Sequence, residues 1–278
     1  YGCTENSAKG VRDVTDVVIP TLNSRNLKRC LDSIVREIPD ARLIVVDGGS
    51  IDGATDLAKT YGALVLTQER TGVGEARRIG LAAVRSPIMA MVDSDVILPT
   101  DWFKRLSQKL RDHDRVVAAS GWVIFGDPGC RPLAKYFEWR RAQRIWTAGL
   151  SNALLRTARV RQVGGFNPEY QTGEDVDLLM RILRAGLQWV MVDDVIVRHP
   201  RSFDQELAHV WWWASHSPRL KILGPRAAAQ HFFRGFSLGL ILAPLDLNLT
   251  WMMPLRNFVW IMGYIKQLTS PQGLGEAA

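Results

Sequence analysis

The sequence predicts an α/β protein: an open, doubly wound sheet followed by a region of amphipathic helices. Three observations point there. Short β-rich runs alternate with amphipathic stretches over about the first two hundred residues, the pattern of parallel strands joined by helical crossovers. Carboxylates stand at the ends of the apolar runs, where an open α/β sheet binds its ligands. After about Pro200 the composition turns aromatic, basic and then almost wholly apolar.

Strands are expected at Asp16–Ile19, Leu43–Val46, Ala63–Thr67, Ile88–Val92 and Val116–Val123, with a further short one at Val195–Val197. Leu27, Cys30, Leu31, Ile34 and Val35 recur at helical spacing and form the first crossover, which Pro39-Asp40 ends. Leu57, Ala58 and Tyr61, then Ala76, Ile79, Gly80 and Ala83, outline two more. A helix starting at Glu174-Asp175 is expected to bury Val176, Leu179, Met180 and Leu183. The chain divides into an N-terminal extension (1–13), a sheet domain (14–200) and C-terminal helices (201–278).

With 278 residues, 47% of them hydrophobic, the chain can bury a full core and general disorder is excluded. Three cysteines (Cys3, Cys30, Cys130) without a CxxC exclude a disulfide framework or a thiolate zinc site and suit a reducing, cytoplasmic setting. The first residues, Tyr1-Gly2-Cys3-Thr4-Glu5, carry no secretory signal, and the chain does not begin with Met. A net charge of +7 points to anionic partners: nucleotide phosphates, acidic lipid or nucleic acid.

From Gly235 to Ile265 only Asp246 and Arg256 are charged. A spanning helix needs ~20 apolar residues, and Pro244, Asp246 and Pro254 cut this run into shorter pieces. The expectation is two interfacial or re-entrant helices, flanked by the Trp, Tyr, Lys and Arg that settle at headgroup depth, on the cytoplasmic face of a membrane. Basic residues from Arg219 to Arg234 lie beside this apolar segment rather than along a polar groove, which favours anionic lipid over nucleic acid.

The chemistry gathers at strand ends. Pro20-Thr21-Leu22-Asn23 ends the first strand in a turn suited to lie against a nucleobase or ribose. Asp47, with Gly48-Gly49-Ser50 after it, can accept from base or ribose donors while the glycines admit a ligand close to the backbone; an Asp-Gly turn capping the next helix is the alternative. Gly72-Val73-Gly74 opens a helix that carries Arg77, free to reach a phosphate. Asp93-Ser94-Asp95 closes the fourth strand with alternate carboxylates, ligands for a hard divalent cation, Mn2+ or Mg2+, that would neutralise a diphosphate leaving group. About eighty residues on, Glu174-Asp175 heads a helix, where Asp175 is a candidate general base and where the acidic pair also suits the helix N-terminus electrostatically. Four of the five histidines fall between His199 and His231, with no paired-ligand spacing; His199, just after a strand, is the one placed to approach a metal.

Taken in order, Pro20-Thr21-Leu22-Asn23, Asp47-Gly48-Gly49-Ser50-x-Asp52-Gly53, Gly74-x-Ala76-Arg77-x-x-Gly80, Asp93-Ser94-Asp95, Gly164-Gly165-Phe166 and Glu174-Asp175-x-Asp177-Leu178 resemble the motifs of the family 2 glycosyltransferases over roughly residues 14 to 200. The resemblance implies a GT-A fold, a doubly wound, Rossmann-like mixed sheet, and an inverting transfer from a nucleotide-sugar donor linked to GDP or UDP. It implies Asp47 on the nucleobase, Asp93 and Asp95 on nucleotide and metal, Asp175 as base and His199 as a third metal ligand, as in some GT-A enzymes. Asn152, Glu174 and Trp212 are expected on the acceptor side. The Gln-x-x-Arg-Trp motif of the processive members is absent, since Gln205 is followed by Glu206-Leu207-Ala208-His209, so transfer of a single sugar to a lipid-linked or envelope glycan hydroxyl is expected. A polyprenyl-phosphate sugar synthase is the alternative, although a phosphate acceptor needs no base. A nucleotidyltransferase would show a basic triphosphate loop near the first strand, and none is present. An inactive sugar-nucleotide-binding subunit would have no need of Asp93, Asp95 and Asp175 together.

Overall fold

The computed structural model describes residues 15–126, 130–145, 149–216 and 225–269; the N-terminal extension, Cys3, Arg219 and Lys221 lie outside the described residues. The strands are β1 (Asp16–Thr21), β2 (Arg42–Asp47), β3 (Leu64–Thr67), β4 (Ile88–Val92), β5 (Val116–Phe125), β6 (Asn152–Arg156) and β7 (Gln188–His199). They form a seven-stranded sheet in the order β3-β2-β1-β4-β6-β5-β7. The crossovers on the first half are α1 (Leu27–Glu37), α2 (Ala54–Thr60) and α3 (Val73–Ala83). They are followed by α4 (Trp102–Asp112), α5 (Arg131–Ala142), α6 (Thr157–Gln162) and α7 (Glu174–Arg184), and then by α8 (Phe203–His216), α9 (Pro225–Leu242) and α10 (Leu249–Thr269).

Strand β1 is apolar without alternation because both faces of the sheet are covered. Val17 and Ile19 pack with Leu27, Leu31 and Ile34 of α1 and Trp102 and Leu106 of α4. Val18, one residue out of phase, packs on the opposite face with Met91 and with Leu178 of α7. On that face α3 lies so close that Gly80 rests directly on Val18, where a side chain would clash with the valine methyl. The chain leaves β1 towards β2 and β3 on one side and returns to β4 on the other, all parallel. The carboxyl ends of β1 and β4 therefore flank the point where the winding reverses, the ordinary ligand crevice of such a sheet.

Two strands depart from expectation. β6 is antiparallel to both β4 and β5, so the sheet is mixed; its five residues carry neither alternation nor a β-branched run, and the sequence pattern passes over it. β7 is far longer than Val195–Val197. Asp193 and Asp194 interrupt its apolar pattern where its register on β5 shifts: Asp193 accepts from Trp122 Nε1 at 3.2 Å and Asp194 from Arg105 Nη1 at 2.7 Å. Helix α7 begins where expected: Leu178 and Ile182 are fully buried, Val176 and Leu179 pack partly buried on the same core, and Leu183 is exposed, with Glu174 turned inward.

The C-terminal run forms two helices, broken between Leu242 and Leu249. Asp246 makes the turn, accepting from Asn248 N at 3.0 Å and from Lys135 Nζ at 3.2 Å, whereas Pro254 is accommodated inside α10. Gly235 faces Met253 and Asn257, and Gly239 faces Leu249 and Thr250, so α9 and α10 run antiparallel in close backbone contact. Gly263 likewise admits α8 at Trp211 and Ala214. Met252 and Leu249 pack with Leu133 and Phe137 of α5, which joins this layer to the sheet. No described helix is long and apolar enough to cross a membrane.

Candidate active site

The loops after β1 and β2 are zipped together. Asn23, in the left-handed region at φ 48°, donates its N–H to Ser50 Oγ at 2.9 Å, and its Oδ1 accepts from Ile51 N at 2.9 Å. Asp47 is buried and accepts from the backbone of Gly49 at 3.0 Å and Ser50 at 3.1 Å, a turn that Gly49 permits at φ 97°. Its carboxylate thus orients its own loop. Thr21 Oγ1 lies buried beside this loop pair without a partner among the described residues, and Pro20 is half-buried.

Arg77 connects the two acidic motifs. Its Nη2 donates to Asp93 Oδ1 at 2.9 Å and its Nη1 pairs with Glu174 Oε1. The local cause is backbone docking: Val73 N and Gly74 N, at the start of α3, donate to Gln171 O and Tyr170 O at 3.2 and 3.0 Å, and three residues later Gly173, at φ 82°, starts α7. The side chains of Arg77 and Glu174 are 5% and 2% exposed. Arg77 is therefore not free for a phosphate, and Glu174 is not turned to an acceptor. A buried guanidinium needs anions on its fork, and these two carboxylates supply them.

Next to this pair, Asp175 lines a cavity of about 780 Å³. Burial raises its carboxyl above the ordinary range, with Arg77 opposing in part, so it holds a proton more readily than a surface aspartate.

On the other side of Asp93, Asp95 meets His199, with Oδ2 and Nε2 3.0 Å apart. A bridge between Ile97 and Arg198 brings the loop after β4 against the end of β7 and so sets this pair. Burial works against the charge of Asp95, and His199 and Arg201 outweigh it, keeping the carboxyl below its usual value. No group of three or more His, Cys, Asp or Glu is placed to hold a metal among the described residues. The structure brings Asp95 and His199 of the expected set together and leaves Asp93 on Arg77. Ser94, between the two acids, is buried, and its carbonyl accepts from Ser24 Oγ at 3.0 Å. Asp95 Oδ2 and His199 Nε2 face each other, and a carboxylate with an adjacent imidazole is an N/O donor pair that fits a divalent cation also held by a diphosphate.

From Asp93 and Asp175 the cavity runs past His199 to the C-terminal helices, where Trp212 and Trp260 line it. Trp212, its ring centroid 5.7 Å from that of His209 and 6.4 Å from that of His216, is on the cavity wall. Asn152 is not on the acceptor side. It is fully buried, its Oδ1 accepting from Gly121 N at 2.9 Å and Trp102 Nε1 at 3.3 Å, and it ties β6 to β5 and α4. The sequence reading missed Arg201, Glu206 and Arg256. Glu206 accepts from Arg201 Nη1 at 2.9 Å and from Arg256 Nε at 2.8 Å at the cavity wall. The available signal was Arg256 itself, an arginine in an apolar helix that demands a buried partner.

The family model described as glycosyl transferase family 2 matches residues 16–163, from the first strand to the end of α6, just over half the chain. The chain belongs to glycosyl transferase family 2. Pre-mycofactocin glycosyltransferase of Mycobacterium tuberculosis is 30% identical over 205 residues, 68% of this chain but 43% of that protein, so this chain spans less than half of that relative. An uncharacterized glycosyltransferase of Mycobacterium tuberculosis is 27% identical over 190 residues, 65% of this chain and 84% of its own length. Among solved structures, the mannosyltransferase PcManGT of Pyrobaculum calidifontis, in complex with GDP-Man and Mn2+, superposes with a TM-score of 0.66 at 18% identity, covering 92% of this chain and 87% of that one. Glucosyl-3-phosphoglycerate synthase of Mycobacterium tuberculosis, with Mn2+ and UDP-glucose, gives a TM-score of 0.50 at 21% identity over 69% of this chain and 72% of that one. These likenesses establish the GT-A fold for this family 2 chain. The family match stops before Glu174-Asp175, so the placement of that pair rests on the geometry above.

Proposed function

We propose that the protein is an inverting glycosyltransferase that moves one sugar from a GDP- or UDP-linked donor to a hydroxyl of a lipid-linked or envelope glycan, at the cytoplasmic face of a membrane. The observation that carries this reading is the Arg77 bridge, which puts Asp93 and the Glu174-Asp175 pair on one cavity. Asp175 is the base: its raised affinity for a proton suits it to take one from the attacking hydroxyl as the bond to the sugar forms. Inversion needs that hydroxyl opposite the leaving diphosphate, and Asp175 is held on the first turn of α7 for this purpose. Glu174 and Arg77 fix the angle of that turn. The paired loops at Asn23, Asp47, Gly49 and Ser50 hold the nucleoside in the crevice between β1 and β4. Asp95 and His199 would hold Mn2+ or Mg2+, which when bound supplies positive charge to the departing diphosphate.

Membrane contact is supported by the outer faces of α9 and α10 and the turn between them, where Phe233, Leu240, Ile241, Leu247 and Trp251 are all more than half exposed. The test is a thermal-shift screen of GDP- and UDP-sugars with and without Mn2+. A donor at ~100-fold excess over Kd stabilises by about 2.7 kcal/mol, which for a chain of this size moves Tm by roughly 5–10 °C. Absence of a shift with every donor, together with no sugar release, would refute the reading.

A further inference from the structure

The end of the cavity formed by the C-terminal helices carries a charge imbalance that sugar transfer alone does not explain. Arg140, Arg201, Arg234 and Arg256 line it, and Glu206 is the carboxylate among them. Glu206, 1% exposed, sits between Arg201 at 11% and Arg256 at 19%. Burial disfavours its charge, but Arg256 and Arg201 hold its carboxyl below the usual range, so it stays ionised and cancels one of the two cations. Asp95 acts on Arg201 as well, so the surplus positive charge at this end is that of Arg140 and Arg234, which line the cavity and pair with no carboxylate among the described residues.

The histidines add nothing to this surplus. His209 and His231 are held down at about 4, by burial first and by neighbouring arginines second, so both rings are neutral at pH 7. His231 Nε2 is buried with no partner among the described residues, and its ring packs on Trp260 with centroids 4.1 Å apart. Each guanidinium offers five N–H groups, yet Arg256 gives only Nε and Arg201 only Nη1 to Glu206, and neither makes another hydrogen bond among the described residues. The Arg201 guanidinium is fixed over the Phe125 ring at 4.2 Å, which pre-orients its fork. Tyr136, Trp212 and Trp260 provide aromatic wall around the same space.

We propose that this end of the cavity is an oxyanion subsite, in which Arg201 and Arg256 grip a phosphate group of the acceptor while its attacking hydroxyl lies at Asp175. The inference rests on the transferase reading of this cavity and adds the acceptor's chemical class. Glu206 then tunes the grip: it holds the two arginines on one carboxylate and lowers the positive charge enough for the phosphate to leave with the product. A lipid phosphate and a soluble phosphorylated sugar share this chemistry and differ in what covers the aromatic wall.

The experiment is calorimetric titration of the full chain, without divalent metal, with inorganic phosphate and with decyl phosphate below its micelle concentration. GDP and UDP titrations with Mn2+ serve as the control for the donor end. Arg256→Gln should weaken phosphate binding by about tenfold or more, the loss of one charge-assisted contact, with nucleotide affinity unchanged. Glu206→Gln should act in the opposite sense and tighten phosphate binding several-fold, which a purely structural role for the trio would not produce. Arg256→Lys keeps the charge and covers the case in which Arg256→Gln does not fold; it should fall between wild type and Gln. Stronger binding of decyl than of inorganic phosphate identifies a lipid acceptor, and equal binding a soluble one. If neither binds to a protein that still binds its nucleotide, or if Glu206→Gln and Arg256→Gln change phosphate affinity in the same direction, the subsite is overturned while the transferase reading stands. Loss of nucleotide binding as well would count against that earlier reading.

Discussion

Replacing Arg77 by methionine tests the join on which the active site depends. The substitution keeps the length and packing of the side chain and removes the cation from between Asp93 and Glu174. Glu174 is 2% exposed, so its carboxylate would be left buried without a counter-charge, a loss of ~3–5 kcal/mol for a broken buried pair. Asp93, 34% exposed, is reached by water and adds little. At roughly 2–4 °C per kcal/mol for a chain of this size, Tm should fall by roughly 6–20 °C. Scanning calorimetry reads this directly. The double variant Arg77→Met with Glu174→Gln removes the stranded charge as well and should recover more than half of the drop. It should not recover the rate, because the side-chain bridge that ties the first turn of α7 to Asp93 is then gone and only the backbone docking at Tyr170 and Gln171 remains. Arg77 also opposes the upward shift of Asp175, so in either variant the acid limb of the rate profile should move to higher pH. An unchanged Tm in the single variant, or a double variant as unstable as the single, would refute the argument that Arg77 acts through these two carboxylates.

Asp175→Asn should lower the rate ~10²–10⁴-fold with donor affinity preserved. Because folding raises the pKa of Asp175, the protein disfavours its ionised form above that pKa, so the variant should keep or gain thermal stability at pH 7, and wild-type activity should be lost as pH falls at a value above the ordinary carboxylate range. Asp16 behaves oppositely. Burial opposes its charge, but Arg42 and the backbone of Arg85 and Ser86 bring its pKa down to about 2, so its contribution is complete above the unfolded value of 3.8 and is lost as pH falls towards 2. Urea titrations should show Asp16→Asn less stable by about 2 kcal/mol at pH 7, with the gap closing in acid. Leu240→Asp with Leu247→Asp, both at exposed positions, should release the protein from anionic vesicles in a sedimentation assay without lowering Tm; continued sedimentation would place the contact elsewhere.

Much of the first half of the sheet was legible because its signals are local. The strands β1 to β4 were recognisable from unbroken apolar runs, and Asp47, Asp93 and Asp95 from lying where those runs stop. What stayed hidden depends on partners far away in the chain. Arg77 reads as a phosphate ligand until Glu174, 97 positions later, is seen against it. Asn152 was expected in the site because the resemblance puts a contact there, yet its amide completes hydrogen bonds inside the sheet. Glu206 and Arg256 are 50 positions apart on helices whose patterns are dominated by tryptophan and leucine. The aspartates of β7 disguised a strand whose register shift exists to accommodate them.

Because β6 runs against its neighbours, its first residues rather than its last reach the binding edge, and Ser151 O accepts from Asp93 N there at 3.1 Å. The segment entering β6 consequently forms part of the cavity wall at Gly149 and Leu150, while the strand behind it is pinned by both neighbours. Substitutions at Gly149 and Leu150 should therefore reshape the cavity wall without moving Asp93 or Asp95. On the proposed reading, Gly149 and Leu150 give variation a place to act beside the Asp93 loop while the strand behind them stays paired on both sides.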